Sequence, residues 1–109
     1  MRGFRGFPMQ STVWFTDLST KPGRSLLDKT GELLRAAGLA ERIAPGDLTA
    51  VKLHFGEKGN TSFLRPIFAR RVVEEIAAAG GKPFLADTNT LYLGGRSNAV
   101  DHLRTAITN

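Results

Sequence analysis

The chain has 109 residues, of which 41% are hydrophobic and 23% are charged. These proportions are typical of one globular domain and exclude disordered and collagen-like classes. No apolar run reaches the roughly 20 residues that a membrane helix needs, and the N-terminus lacks the apolar segment of a secretory signal. The sequence therefore predicts a cytoplasmic protein with no membrane partner.

Fifteen Lys and Arg residues against ten Asp and Glu residues give a net charge of +5, which favours an acidic partner. Most aromatic residues occupy core-like positions instead of lying exposed between basic residues, so we expect a small anionic ligand rather than nucleic acid. The chain contains no cysteine, which excludes disulfides, thiolate zinc sites and cysteine-held iron–sulfur clusters in these residues.

The first third of the chain predicts a leader, a strand and a helix. Residues 1–10 contain two Arg-Gly pairs and no periodicity, so we expect a flexible basic leader before an α/β domain at residues 11–109. The apolar run at residues 12–17 predicts a first strand that ends at Asp17. Ser25 followed by Asp28 predicts a capped helix, which the apolar spacing extends to a C-terminal cap at Gly38.

The remainder repeats this alternation. Residues 48–55 predict a second strand, and Pro66 suits the first position of a second helix that ends at the glycine pair 80–81. Residues 83–86 predict a short third strand that ends at Asp87. Asn98 caps a last helix, for which we expect an apolar stripe at positions 99, 100, 103, 106 and 107 and a surface or interface position for His102.

The order β-α-β-α-β-α with short connections predicts an α/β fold, with an open parallel sheet of three strands and helices packed on its faces. This pattern resembles part of a doubly wound domain, so we expect residues 11–109 to be the N-terminal part of a larger domain. A three-stranded parallel sheet has two unprotected edges. We expect a missing C-terminal half or a second copy in a homo-oligomer to cover them.

Four residues are candidate metal ligands. Asp17, His54 and Asp87 lie at the ends of predicted strands, and Glu57 lies on the turn after the second strand. The carboxyl ends of parallel strands meet at one edge, where open α/β sheets bind their ligands. Carboxylates and imidazole can hold a divalent metal such as Mg²⁺, Mn²⁺ or Zn²⁺. The alternative is structural, because Asp commonly caps the loops and helices that follow strands.

Two glycine-containing loops are candidate anion sites, because glycine lets backbone N–H groups approach a phosphate. Neither loop matches the Walker or dinucleotide-binding pattern, and two ordinary turns remain the alternative. Arg65, before the second helix, could join either loop, and Lys52 could bind the anion or pair with Asp17 or Asp87. The loop residues are Gly56, Lys58, Gly59 and Asn60 in the first loop, and Gly94, Gly95, Arg96, Ser97 and Asn98 in the second.

Several segments together resemble the domain of unknown function 362 family. They are VKLHFGEKGNT at 51–61, RP at 65–66, DTNTLY at 87–92 and GRSNAVDH at 95–102. Members of that family are longer and often carry a ferredoxin-like module with [4Fe–4S] clusters, so the resemblance implies an N-terminal α/β portion only. Any such cluster would lie in a missing C-terminal region.

Three functional hypotheses follow. The first is the N-terminal α/β portion of an iron–sulfur-associated protein, with an anion or metal pocket at the strand ends. The second is a metal-dependent enzyme acting on a phosphorylated or carboxylated small molecule. The third is a structural or interaction module. No residue of the sequence can be assigned a catalytic role.

Overall fold

The computed structural model describes residues 11–109, so the predicted leader at 1–10 lies outside the described residues. The mixed α/β class is confirmed. No helix within 11–109 has the length and apolar character needed to cross a membrane. The elements in chain order are α1 (Leu26–Ala36), a 3-10 turn (Ala40–Arg42), β1 (Leu48–Lys52), α2 (Pro66–Ala78), β2 (Lys82–Ala86) and α3 (Ala99–Thr108).

The first two helices begin where the sequence predicts. The Ser25 hydroxyl accepts from the Asp28 N–H at 3.2 Å, and the Asp28 carboxylate accepts from the Ser25 N–H at 2.8 Å, so α1 begins with a capping box. Pro66 is the first residue of α2, where its missing N–H costs nothing. The two helices pack closely at Gly31, since a Cβ there would lie 2.6 Å from the Glu75 carboxylate.

β1 and β2 form a parallel pair, with Leu48 opposite Lys82 and Lys52 opposite Ala86. The Lys82 N–H bonds to the carbonyl of residue 47 at 2.7 Å, and the N–H of residue 53 bonds to the Ala86 carbonyl at 3.1 Å. Bonding residues alternate along such a ladder. The backbone N–H and carbonyl groups of residues 82, 84 and 86 therefore point toward β1. Those of residues 83 and 85 point toward the outer edge of β2.

The two outer edges of the sheet differ in their hydrogen-bonding capacity. Pro83 has no N–H, so the outer edge of β2 presents the N–H of Leu85 alone, as is typical of an edge strand. The outer edge of β1 presents the N–H and carbonyl groups of Leu48, Ala50 and Lys52. The edge of β1 is therefore the better one for a further strand.

Burial alternates along β1, which is typical of a strand covered on one face. Val51 is half-buried, whereas Leu48 and Lys52 are exposed. α2 supplies the buried apolar side chains Ala69 and Ile76. The opposite face of the sheet is open within the described residues.

The structure shows two of the three predicted strands. Residues 12–17 belong to neither helix nor strand, and Val13 and Phe15 are 85% and 83% exposed. Asp17 is nevertheless fixed to α1, because its carboxylate and carbonyl both accept from the ammonium of Lys29.

α3 is rotated from the orientation that we expected. Val100 and Ile107 of the predicted apolar stripe are exposed, whereas His102 and Thr105 are buried, so the stripe is not the buried face and His102 does not lie at the surface. Polar bonds orient the helix: the Thr105 hydroxyl donates to the Gly95 carbonyl at 2.8 Å and His102 Nδ1 lies 3.0 Å from Asn89 Oδ1. Helical spacing could not reveal these partners in the preceding loop.

Candidate functional site

The candidate site lies beyond the carboxyl ends of β1 and β2 and is built around Arg96. β1 leads directly into His54 and Glu57, β2 leads into Asp87, and Arg96 comes from the loop before α3. Arg96 is only 2% exposed. The predicted convergence of residues from different strand ends is therefore observed for these side chains.

Arg96 bonds to three of the four candidate metal ligands. Nη1 lies 2.8 Å from His54 Nε2 and 3.0 Å from Glu57 Oε1, and Nη2 lies 2.5 Å from Asp87 Oδ2. The guanidinium also stacks over Phe55, with Cζ 4.9 Å from the ring centroid, an arrangement that favours a cation. A guanidinium therefore lies at the point where we expected a metal ion.

Asp87 joins the two strands electrostatically. Its side chain is 5% exposed, and Oδ1 lies 2.8 Å from the Lys52 ammonium and accepts from the Thr88 N–H at 2.8 Å. Burial opposes ionisation, but the hydrogen bonds from Lys52 and Thr88 and the charge of Arg96 hold the pKa of Asp87 below its ordinary value. The carboxylate is therefore charged and balances two cations.

Glu57 connects this network to the loop before α3. The Tyr92 hydroxyl donates to Glu57 Oε1. That bond, and the bond from Arg96, keep the pKa of Glu57 low against the opposing effect of partial burial. The same bond to Glu57 raises the pKa of Tyr92. Tyr92 and Arg96 together fix Glu57 to the segment before α3.

Two hydrogen-bond donors face the imidazole of His54. The Gly56 N–H points at Nδ1 at 2.9 Å, and Arg96 Nη1 points at Nε2 at 2.8 Å. A neutral imidazole accepts at one nitrogen only, so both donors cannot be satisfied at once. In addition, Arg96 Nε is buried and has no acceptor within residues 11–109. The site therefore contains N–H donors that lack an acceptor.

Asp17 is the candidate metal ligand that the structure places elsewhere. Lys29 is 3% exposed and donates to the Asp17 carboxylate, to the Asp17 carbonyl at 2.8 Å and to the Ser19 carbonyl at 2.9 Å. The hydrogen bonds from Lys29 and Ser19 lower the pKa of Asp17 to about 2. Sequence alone could not reveal that the ammonium of Lys29 would be buried.

The first predicted anion loop uses several of its own amides. The Gly56 N–H bonds to His54, the Asn60 N–H bonds to the Glu57 carbonyl at 2.8 Å, and the Gly59 N–H donates to Asn109 Oδ1 at 2.8 Å. The loop is thus held by Asn109, the C-terminal cap residue of α3, which lies 50 positions from Gly59 in sequence. Lys58 is exposed.

The second predicted loop has a capping role as well. Asn98 Oδ1 accepts from the N–H of residue 101 at 3.0 Å, and the Ser97 hydroxyl and N–H both bond to the Gly94 carbonyl. Arg65 is exposed at the start of α2. Of the cations predicted to bind an anion, the structure brings Lys52 and Arg96 together through Asp87.

No three His, Asp or Glu side chains within the described part of the chain form a metal-ligand cluster. The chain also has no cysteine for a [4Fe–4S] cluster, so its residues do not fit that group.

The family model described as "Domain of unknown function (DUF362)" matches residues 49–109, more than half of the chain. No curated protein and no solved structure matches it. The matched segment includes Arg96 and the three side chains that bond to it, which we call the Arg96 network: His54, Glu57 and Asp87.

Proposed function

Since the chain belongs to the family Domain of unknown function (DUF362), whose description names no activity, we propose a function from the geometry of the site. The protein binds a small anionic ligand, a carboxylate or a phosphate, in the crevice beyond the carboxyl ends of β1 and β2. The observation that carries this proposal is the buried guanidinium of Arg96, whose Nε has no acceptor within the described residues. A buried donor without a partner costs about 1–3 kcal/mol, and more when it is charged.

Lys52 is the second donor to the ligand. Its side chain is 60% exposed and its ammonium uses Asp87 as a partner, which leaves N–H donors directed to solvent. Asp87 already bridges Lys52 and Arg96, so an incoming anion would bind beside this carboxylate and share the two cations. Arg favours planar anions and Lys acts as a point charge, a combination suited to carboxylate or phosphate.

Calorimetric titration with inorganic phosphate, and separately with acetate, tests this proposal. We expect wild-type protein to bind one of them with a dissociation constant of about 1 mM or tighter, or about −4 kcal/mol. Lys52→Met should weaken binding about tenfold or more, since hydrogen bonds to charged groups contribute about 1.5–3 kcal/mol. Lys82→Met changes the net charge equally at the opposite end of the sheet. Equal loss in both variants would reduce the effect to general charge attraction and contradict the proposal.

The second candidate is a metal-dependent enzyme acting on a phosphorylated or carboxylated small molecule. His54, Glu57 and Asp87 converge on one cation position, which Arg96 fills, so a divalent ion would require Arg96 to move aside. Asp17 bonds to Lys29 instead and does not join this set. Titration with Mn²⁺ tests the idea: a site lost in Glu57→Gln but kept in Glu74→Gln supports it, and equal binding by the two variants contradicts it.

We also propose that residues 12–17, which lie outside helix and strand in the structure, pair with the open edge of β1 as a third strand. That edge offers three N–H and three carbonyl groups, whereas Pro83 provides no N–H on the other edge. Trp14 is the only tryptophan, so its fluorescence reports on this strand. Blue-shifted emission, typical of a buried indole, with weak acrylamide quenching would support pairing. Strongly quenched, solvent-like emission would contradict it.

The third candidate is an interaction role beside the ligand site. The open sheet face and the apolar side of α3 carry exposed Phe84, Val100 and Ile107, and exposed apolar patches of this kind mark contact surfaces. The covering partner is a C-terminal half of a larger domain or a second copy. Sedimentation analysis separates the two: a concentration-dependent dimer supports the second copy, and a monomer at all concentrations contradicts it.

We further propose that the protein is cytoplasmic and associated with an iron–sulfur cluster. Because this chain has no cysteine, a cluster would be held by another segment, and this domain would bind and position a ligand. A cysteine-rich segment encoded directly after Asn109 would support the association, whereas a stop codon there would contradict it.

A further inference from the structure

A cleft of about 480 Å³ lies between the sheet and α3 and adjoins the proposed anion site. This volume is within the usual range of small-molecule sites. Two residues of the cleft wall contact Arg96 directly. Asp87 accepts from its Nη2 at 2.5 Å, and the ring of Phe55 lies under its guanidinium. A ligand at the anion site would therefore have the cleft next to it.

The cleft presents apolar surface that stays uncovered within the described residues. Leu85 and Leu103 line it and are 58% and 64% exposed. The small side chains of Ala99 and Ala106 leave room on the α3 side. On the sheet side, Leu53 and Leu85 also line a second apolar depression of about 400 Å³ against α2. Removing such surface from water is favourable, so the cleft favours a ligand with a hydrocarbon part.

The polar groups of the cleft already have partners in the chain. Asp87 pairs with Lys52 and Arg96, and Asn89 Oδ1 lies 3.0 Å from His102 Nδ1. A polar ligand group placed in the cleft would lose its water without gaining a free partner there, which costs free energy. A negative group would also lie near the carboxylate of Asp87. The part of the ligand inside the cleft is therefore uncharged and apolar.

We infer that the ligand of the anion site is an amphipathic monocarboxylate, with its carboxylate at Lys52 and Arg96 and its hydrocarbon body in the cleft. The inference rests on the proposed anion site and specifies the class of its ligand. Phe55 joins the two parts, because its ring stacks on the guanidinium and also lines the cleft. The charge of the carboxylate fixes the orientation, and burial of the hydrocarbon body adds affinity.

Calorimetric titration at pH 7 with acetate, hexanoate and adipate tests this inference. Hexanoate should bind at least about tenfold more tightly than acetate, since each fully buried methylene raises affinity about fourfold. Adipate carries a second carboxylate at the far end of a similar chain and should gain less than hexanoate. Equal affinities for acetate and hexanoate would overturn the inference, and so would adipate binding as tightly as hexanoate.

Two variants of α3 alter the cleft without changing the Arg96 network. Ala106→Phe fills the cleft and Leu103→Ala removes part of its wall, so both should lower the ratio of hexanoate affinity to acetate affinity, by at least about threefold. Both positions are exposed, so the variants should fold. Val100→Ala, on the outer side of α3, is the matched control and should keep the ratio. An unchanged ratio in both cleft variants, or an equal fall in the control, would overturn the inference.

Lys52→Met tests the carboxylate end of the ligand. It should weaken acetate and hexanoate by the same factor, because it removes a charge and leaves the cleft intact. Unchanged hexanoate affinity in this variant would overturn the inference, because the chain would then bind without the anion site. Wild-type protein that binds phosphate or acetate but hexanoate no more tightly contradicts this inference alone. Protein that binds none of the three ions contradicts the anion site and this inference together.

Discussion

Replacing Asp87 with asparagine tests whether the buried ion network holds the strand ends together. Asn is nearly the same size but removes the charge that balances Arg96, whose side chain is 3% exposed. Breaking a buried pair from one side typically costs about 3–5 kcal/mol. The Lys52 ammonium is mostly exposed and contributes little to that loss, so we expect about 3 kcal/mol from Asp87→Asn.

A loss of that size is large beside the total of about 5–15 kcal/mol available to a small domain. Urea unfolding at pH 7, followed by circular dichroism, should show a midpoint lower by about 1–3 M for the usual slopes of about 1–3 kcal/mol/M. Glu74→Gln is the matched control, because that carboxylate is 54% exposed and its nearest cation lies 3.6 Å away. It should cost less than about 0.5 kcal/mol.

The pH dependence of stability tests the same network. The pKa of Asp87 is lowered by folding, so its ionisation stabilises the protein above the unfolded-state pKa, and that contribution disappears as pH falls through the folded-state pKa. The difference between wild type and Asp87→Asn should therefore be largest near pH 7 and shrink below about pH 4. A difference under about 1 kcal/mol at pH 7, or one that grows in acid, would refute the structural role of this network.

Three further predictions concern groups around the network and on α1. The pKa of Asp17 is about 2, so wild-type stability should fall as pH drops from about 4 to 2, and Asp17→Asn should flatten that fall in urea titrations; parallel curves would contradict this. Gly56 and Gly59 both have positive φ, but a Cβ at Gly56 would meet atoms at 2.9–3.1 Å whereas a Cβ at Gly59 meets nothing within 4 Å. Gly56→Ala should therefore destabilise the protein more than Gly59→Ala, by about 1–3 kcal/mol, and equal losses in thermal unfolding would argue against the close packing. Removing the Tyr92 hydroxyl with Tyr92→Phe should raise the pKa of Glu57 toward its ordinary value in an NMR titration, and an unchanged pKa would exclude the hydrogen bond.

The elements of the fold were predictable where local signals are strong. The Ser25 cap, Pro66 and the alternating burial of β1 each follow from a short-range rule, and each is observed. α3 was misjudged because its orientation depends on Asn89 and the Gly95 carbonyl, which lie in a loop without periodicity. Those partners outweigh the apolar stripe of the helix.

The candidate site was predictable in its location but not in its centre. Parallel strands deliver His54, Glu57 and Asp87 to one edge, as expected, because strand direction fixes where their ends lie. The sequence assigned Arg96 to an anion loop, and nothing local indicated that its side chain would lie between the other three. Composition could not distinguish a metal ion from a guanidinium as the cation at that point.

The Nε–H resonance of Arg96 provides the most direct test of the proposed anion site. In ¹⁵N-labelled protein we expect this resonance to shift and saturate as phosphate or acetate is added, and to stay in place when sodium chloride is added at equal ionic strength. A resonance that responds equally to all three salts, or to none of them, would contradict the account.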